Sequence, residues 1–190
     1  MSKINLILLT TLTSIGINQT ILRAQIVIET DPITTVFGAK TISLLIEPER
    51  LNHFSVFTNV VRADFPDWLD DFTNPHNEGQ GFDHQIAIGG GAGLDYFKSP
   101  SKNGLYFGVL NLFFKNEVSA EGLTREITTH NIIPRVGYRK FIFNSSHVYI
   151  NPFIGLRYEY VTAGDRSFIT KTYEPAGIQP FGTVHLGYKF

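Results

Sequence analysis

The sequence predicts an all-β protein, a closed antiparallel up-and-down barrel of eight strands. Apolar and polar residues alternate from residue 26 to the end of the 190-residue chain, as they do in strands whose two faces meet different surroundings. Connections between these segments are short and long in turn. Helical periodicity is hard to find. The sequence contains no repeat longer than a strand and no linker, so we expect the strands to form one domain.

The composition excludes several classes of function. Aromatic residues make up 13% and charged residues 17% of the chain, whereas a typical soluble domain carries about 25% charge. The chain has no cysteine, which excludes disulfides, thiolate metal sites and a cysteine nucleophile. A formal charge of -1 provides no basic field, so nucleic acid is not an expected partner.

The first 24 residues have the layout of a secretory signal peptide. Lys3 supplies a positive start, residues 4–17 form an uncharged apolar run, and a polar stretch leads to Ala24. The run is shorter than the roughly 20 apolar residues that a membrane-crossing helix needs. We therefore expect residues 1–24 to be a cleaved leader and residues 25–190 to be the barrel domain.

The alternation places eight strands in order along the chain. Asp31 and Pro32 interrupt the first, and residues 104–114 are apolar on both faces, which leaves the facing of that strand open. Pro134 and Pro152 lie inside strands, where proline removes a ladder donor, and we expect them to share one ladder defect. The predicted strands cover residues 26–36, 41–47, 53–60, 85–96, 104–114, 131–139, 148–160 and 183–190.

The connections differ in length on the two sides of the predicted barrel. Short turns on one side and long loops on the other are typical of outer-membrane barrels, whose longer loops are extracellular. Strands of about ten residues also have the length that a tilted transmembrane strand needs. The short turns lie at 48–52, 98–103 and 143–146, and the longer polar loops lie at 62–82, 115–127 and 163–178.

The facing of the strands distinguishes a membrane barrel from a soluble one. One face is aliphatic and nearly free of lysine and glutamate, with aromatic residues near strand ends, as at a headgroup layer. The other face combines glycines with charges of both signs, which suits the filled interior of an eight-stranded transmembrane barrel. We expect Tyr96, Tyr138, Tyr158, Tyr160, Tyr188 and Phe190 outside, and Glu47, Asp95, Arg135, Arg139, Arg157, Glu159, His185 and Lys189 inside.

Three segments carry a family resemblance. Residues 184–190 (VHLGYKF) resemble the C-terminal signature of Gram-negative outer-membrane β-barrels, in which alternate apolar residues lead to a terminal aromatic. Residues 151–158 and 179–182 resemble strand openings of small OmpA-like and OmpX-like barrels, and residues 31–47 resemble their first hairpin. The resemblance covers residues 26–190 and implies that the barrel assembly machinery reads the strand ending in Phe190.

Two groups of residues offer chemistry. His53 and Ser55 stand two apart on one strand face, as a base and a nucleophilic serine would, but no acid is identifiable to orient the base. The loop 62–82 and the two residues after it are rich in carboxylates without the spacing of a calcium loop, so we expect a solvated acidic loop. We assign no catalytic, cofactor-binding or metal-binding residue. The loop residues considered are Asp64, Asp67, Asp70, Asp71, His76, Glu78, Asp83 and His84.

The same loop contains a short predicted helical turn at residues 66–71. Its apolar residues are expected to cap the mouth of the barrel, with a contact surface for a partner or polysaccharide as the alternative. These residues are Phe65, Trp68, Leu69 and Phe72.

The expected function is structural, adhesive or surface-interacting, exerted by a non-enzymatic monomer through loops 62–82, 115–127 and 163–178. The expected partners are outer-membrane lipid, the assembly machinery, and a surface molecule at the loops. Two alternatives stay open. An outer-membrane lipid-modifying enzyme would need a histidine, serine and acid at the loop side, and a soluble lipocalin-like binder would need an apolar interior with charges outside.

Overall fold

The computed structural model describes residues 24–142 and 147–190. Eight antiparallel strands form a closed barrel, in which each strand pairs with its sequence neighbours and the last pairs with the first. The predicted fold and strand number are confirmed. The strands are β1 (Ala24–Thr30), β2 (Ala39–Pro48), β3 (Phe54–Asp64), β4 (Asp83–Phe97), β5 (Gly104–Ala120), β6 (Leu123–Phe141), β7 (Val148–Ala163) and β8 (Ile178–Lys189).

Two short helices lie between strands, α1 (Pro32–Val36) after β1 and α2 (Asp67–Thr73) after β3, and a 3-10 turn covers Glu49–Leu51. The α2 helix confirms the predicted helical turn at 66–71, beginning one residue later and ending two residues later. Within the described ranges, no helix has both the length and the apolar character needed to cross a bilayer.

The connections define two ends of the barrel. The turn end carries the β2–β3, β4–β5 and β6–β7 connections, and the loop end carries the other four. The predicted turn at 143–146 lies outside the described residues. So does the predicted leader except for Ala24, which begins β1, and cleavage there stays a prediction.

The predicted first strand at 26–36 is wrong in its second half. β1 ends at Thr30 because Asp31 caps a helix: its side chain accepts a hydrogen bond from the backbone N–H of Thr34 at 2.9 Å. Pro32 stands at the first helical position, where its missing N–H would be unpaired in any case. The polar Asp31–Pro32 step, read from the sequence as an interruption, is the start of α1.

The predicted loop at 115–127 is also wrong. β5 and β6 stay paired from Lys115 opposite Thr128 to Ala120 opposite Leu123. Only two residues turn the chain, Glu121 with φ 54° and Gly122 with φ 75°. Positive φ at both central positions gives the turn type that matches the twist of a hairpin, so the strands continue to the tip.

The two strand prolines produce two separate breaks rather than one shared defect. The β6–β7 pairing stops between Ile132 opposite Tyr158 and Arg135 opposite Gly155, around Pro134. It stops again between Gly137 opposite Phe153 and Lys140 opposite Ile150, around Pro152. The register therefore sets the prolines several residues apart along the barrel wall.

The seam between β8 and β1 is paired over only part of its length. β1 pairs with β8 from Val27 opposite Lys189 to Thr30 opposite Leu186. Residues 178–185 of β8 have no strand partner on that side, and α1 lies there in contact with both β2 and β8. The wall is therefore a continuous sheet at the turn end and is completed by a helix at the loop end.

Candidate functional site

The outer surface of the barrel is apolar, as the sequence predicts. Large side chains on alternate positions are well exposed, for example Ile42 at 65%, Phe107 at 56% and Ile154 at 68%. The aromatic residues predicted for this face that are at least 46% exposed are Tyr96, Tyr138, Tyr158, Tyr188 and Phe190. Tyr160 also lies on this face, half-buried against the ring of Tyr158.

The strand whose facing the sequence leaves open is now oriented. In β5, Tyr106, Leu110 and Leu112 are buried, whereas Phe107 and Val109 are exposed. Of its two apolar faces, one packs in the filled interior and the other lies exposed on the outer surface of the barrel.

The interior of the turn end is built around the guanidinium of Arg139. It is fully buried, and it pairs with Glu47 and lies 3.6 Å from the Oε1 atom of Glu29. The rings of Phe97 and Tyr149 lie over its Cζ atom at 4.5 and 4.4 Å. A buried cation is thus held by two carboxylates and two aromatic faces, which offset the loss of its hydration.

The carboxylate of Glu29 extends this network. It accepts hydrogen bonds from the hydroxyl of Tyr149 at 2.6 Å and from the amide of Asn151 at 3.0 Å, and it lies 2.9 Å from Nδ1 of His185. Nζ of Lys189 lies 3.7 Å from Glu47. The predicted interior charges of this region are therefore confirmed.

A second ion pair lies nearer the middle of the barrel. Arg135 makes a bidentate pair with Asp95, at 3.1 Å from Nε and 2.7 Å from Nη2. The rings of Phe57 and Phe153 lie 4.7 and 4.5 Å from its Cζ atom. The other two predicted interior charges, Arg157 and Glu159, lie further toward the loop end, with their charged atoms 3.9 Å apart.

Glycines on the interior face give space to these rings. A Cβ atom at Gly137 would overlap the ring of Tyr106, and one at Gly187 would overlap the ring of Tyr149. The sequence correctly placed glycines on the interior face, but it did not identify Tyr106 and Tyr149 as the rings that fill the space beside them. Sequence reasoning also missed Glu29 and Asp31, because both fall in the poorly defined first strand.

Three of the four connections of the loop end form one structure, here called the loop-end cap: residues 65–82, the β5–β6 hairpin at 115–128, and residues 164–177. Buried amides join the first segment to the third. Asn74 and Asn77 each donate to the carbonyl of Glu174 at 2.9 Å, and the N–H of Glu174 donates to Asn77 at 3.1 Å. At the hairpin tip, the carboxylate of Glu121 accepts from the backbone N–H of Thr170 at 3.1 Å.

A small apolar core holds the cap together. Phe82 contacts the rings of Phe168 and Tyr173 at 5.3 and 5.5 Å between centroids. Val118 and Ile127 of the hairpin pack beneath them, fully buried. The cap is therefore a packed unit with its own core.

The four loop residues predicted to cap the mouth divide into two groups. Phe65 packs against the interior cluster, which agrees with capping. Trp68 is 59% and Phe72 is 80% exposed, so these two side chains lie on the surface. Leu69 is half-buried between them.

His53 and Ser55 do not meet as a base and a nucleophile. Nδ1 of His53 bonds the carbonyl of Phe97 at 2.8 Å, and the imidazole stacks on Tyr96 at 5.6 Å. Tyr96 faces outward, whereas Ser55 is fully buried in the interior. Ring and hydroxyl therefore face different sides of the wall.

The predicted acidic loop does not gather into a cation site within the parts of the chain that the structure describes, which hold no cluster of three or more metal-ligating side chains. His84, at the end of this segment, lies 3.1 Å from Asn116 and stacks obliquely on Tyr173. These contacts place it in the packing of the cap.

Comparison with known proteins gives a structural likeness. No family model and no curated protein matches the chain. The crystal structure of Neisserial surface protein A (NspA) matches with a TM-score of 0.42 and 15% sequence identity, covering 87% of this chain and 91% of that one. Because the TM-score is below 0.5, no functional argument follows from this likeness.

Proposed function

We propose that the chain is a non-enzymatic barrel of the Gram-negative outer membrane that acts as a monomer at the cell surface through its loop-end cap. The observation that carries the proposal is the facing of the wall. The charges inside the barrel are paired with one another, and the large exposed side chains along the middle of the outer wall are aliphatic and aromatic. Such a surface is stable against lipid and unstable against water.

Basic residues support a bilayer-sized apolar belt. Lys40 and Arg62 are neighbours across β2 and β3 and exposed, and Lys115 is exposed on β5, all toward the loop end. Lys140 of β6 is exposed toward the turn end. Lysine and arginine at these levels reach the charged headgroups of a bilayer.

The terminal strand supports assembly in this membrane. Phe190 is 66% exposed, and its N–H donates to the carbonyl of Ile26 at 3.0 Å. The C-terminal aromatic thus stands on the outer surface beside the closing seam, where a folding factor has access to it.

The cap supports a role in surface contact. It extends the barrel beyond Lys115 with packed strands and loops, and rigid scaffolds that hold loops are the usual carriers of binding functions. Its partner class is a surface protein or polysaccharide.

Fractionation of expressing cells tests the proposal. We expect the protein in the outer-membrane pellet, as a band that migrates faster without boiling because the closed barrel resists detergent. A soluble periplasmic protein without a heat shift would overturn the proposal and favour a soluble ligand-binding barrel.

A further inference from the structure

We propose that the loop-end wall holds a binding site for one long-chain fatty acid, which enters sideways from the bilayer. This inference goes beyond the proposed function and rests on it, because it requires the wall to lie in lipid. At the seam between β8 and β1, residues 178–185 of β8 have no strand partner and α1 takes the place of a strand.

A cavity of about 910 Å³ lies along this seam. Its lining combines residues from both sides of the wall. Ile154, Leu156 and Pro180 belong to the outer face, whereas Arg135 and Arg157 belong to the interior. The cavity therefore passes from the lipid-facing surface toward the interior of the barrel.

The helices of the loop end form the other wall of the cavity. Ile33 and Phe37 line it from the α1 segment, and Leu69 and Phe72 line it from α2. The remaining lining is also largely apolar, and its size lies within the range of small-molecule sites. An acyl chain is the ligand that fits such a channel when its mouth opens into a bilayer.

The backbone along the cavity is weakened at the same level. The β6–β7 ladder is interrupted at Pro134, and Pro134 lines the cavity together with Gly155. Pro180 of β8 pairs with Leu156 of β7 at this level. Prolines remove ladder donors, so β6 and β7 can separate here at a smaller cost than where their ladder is intact.

Charge selects the kind of acyl chain. Nη1 of Arg135 is buried and has no hydrogen-bond partner among the described residues, although Nε and Nη2 bind Asp95. Arg157 lies 3.9 Å from its carboxylate neighbour Glu159, beyond hydrogen-bond distance, and its Nε and Nη2 atoms donate to the side-chain oxygen of Gln179. Among the described residues, each of the two guanidinium groups therefore keeps one Nη1 donor at the inner end of the apolar channel, and such donors are complementary to a carboxylate.

The single tryptophan of the chain is placed to report binding. Trp68 contacts the cavity-lining Phe37 edge to face, with 5.9 Å between ring centroids. The probe is 9,10-dibromostearate, whose bromine atoms quench tryptophan fluorescence at short range, added to the full-length mature protein in phosphatidylcholine bilayer discs. We expect saturable quenching at low mole fraction, and brominated methyl stearate to bind more weakly.

Two variants and matched controls locate the site. Arg157→Gln should weaken binding of the acid by about tenfold, as loss of a charge-assisted hydrogen bond does, and leave the methyl ester unchanged. Gly182→Leu should abolish saturation, because a side chain on this cavity-lining residue fills the channel. Arg166→Gln in the cap and Ala92→Leu on the outer face of β4 should bind as the parent protein does.

The heat shift of each disc-embedded variant reports barrel insertion separately from binding, so failure of the membrane proposal is distinguishable from failure of this one. If Gly182→Leu does not fold, Leu156→Phe replaces it. If quenching rises linearly with the mole fraction of the brominated acid, or if Gly182→Leu is quenched as strongly as the parent protein, the probe only partitions into bulk lipid. Either result would overturn the site. Equal affinity for acid and methyl ester would overturn the role of the arginines.

Discussion

The two halves of the barrel solve the same packing problem differently. At the turn end, eight paired strands enclose Arg139, Glu47 and Glu29, and the interior is stabilised by ion pairs and rings. At the loop end, β1 has ended, α1 completes the wall, and the interior is lined by aliphatic and aromatic side chains such as Leu112 and Phe114.

The difference separates stability from function along the barrel. At the turn end all eight strands close around a neutralised charge cluster, which leaves little room for a ligand. Removing either partner of a buried pair there would leave the other charge uncompensated. A wall completed by a short helix tolerates a cavity and supports a packed cap. We therefore expect substitutions at the turn end to affect the free energy of unfolding, and substitutions at the loop end to affect surface contacts.

The largest effect is expected for Arg139→Met. This variant leaves Glu47 and Glu29 buried without their cation, which should lower the free energy of unfolding by about 3–5 kcal/mol. Urea unfolding in lipid vesicles measures it. The control is Arg166→Met, whose partner Glu174 is exposed and whose loss should cost less than about 1 kcal/mol. Equal losses in both variants would contradict the contrast.

The same substitution at two glycines of β8 should have unequal effects. Gly187→Ala places a methyl group in the ring of Tyr149, and overpacking of this kind costs about 1–3 kcal/mol. Gly182→Ala meets Phe153 and Ile154 at 3.1 and 3.3 Å and borders the cavity, so it should change stability little. The free energies of unfolding of the two variants test this expectation, and equal losses would show that the halves are packed alike.

A smaller and local effect is expected for Asn77→Ala in the cap. Its amide exchanges two hydrogen bonds with the backbone of Glu174, and losing them should cost about 1 kcal/mol. Limited proteolysis should then cut residues 65–82 and 164–177 faster, while the barrel keeps its heat shift. Asn52→Ala at the turn end is the control and should leave the digestion pattern as it is.

The smallest effect is a pH dependence at the hairpin tip. The hydrogen bonds from Thr170 hold the pKa of the Glu121 carboxyl below its ordinary value of 4.5. A lowered folded-state pKa gives stability that is present above the unfolded value and is lost as the pH falls through the folded value. The protection factor of the Thr170 amide, its intrinsic exchange rate divided by its observed rate, should therefore fall below about pH 4.5, and Glu121→Gln should remove that dependence.

The sequence predicted the barrel and its interior charges because both follow from a period of two. Once lipid and a filled interior are placed on opposite faces, Asp95 and Arg135 must point inward, and they meet. The hairpin beyond Lys115 escaped prediction for a related reason. Its outer face carries Lys115 and Glu126, which pair at 2.8 Å, so alternation disappears where both faces tolerate polar residues.

The seam and its cavity could not be predicted from pattern alone. They depend on where β1 stops relative to β8, which is a matter of closing register rather than of alternation. A local signal was present, since Asp31 followed by proline is a helix-start signature. The separation of Pro134 from Pro152 likewise depends on register, which is not written in either strand alone.

The most direct test of the lipid-facing wall is to measure which relaxation agents reach spin labels on the outer face. The chain has no cysteine, so single cysteines at Val56, Val109 and Ile154 accept nitroxide labels cleanly, with Lys115 as the control at the loop end. In bilayers, oxygen should reach the first three labels while a water-soluble nickel chelate reaches only the one at residue 115. Access of the chelate to all four labels would contradict a lipid-facing wall.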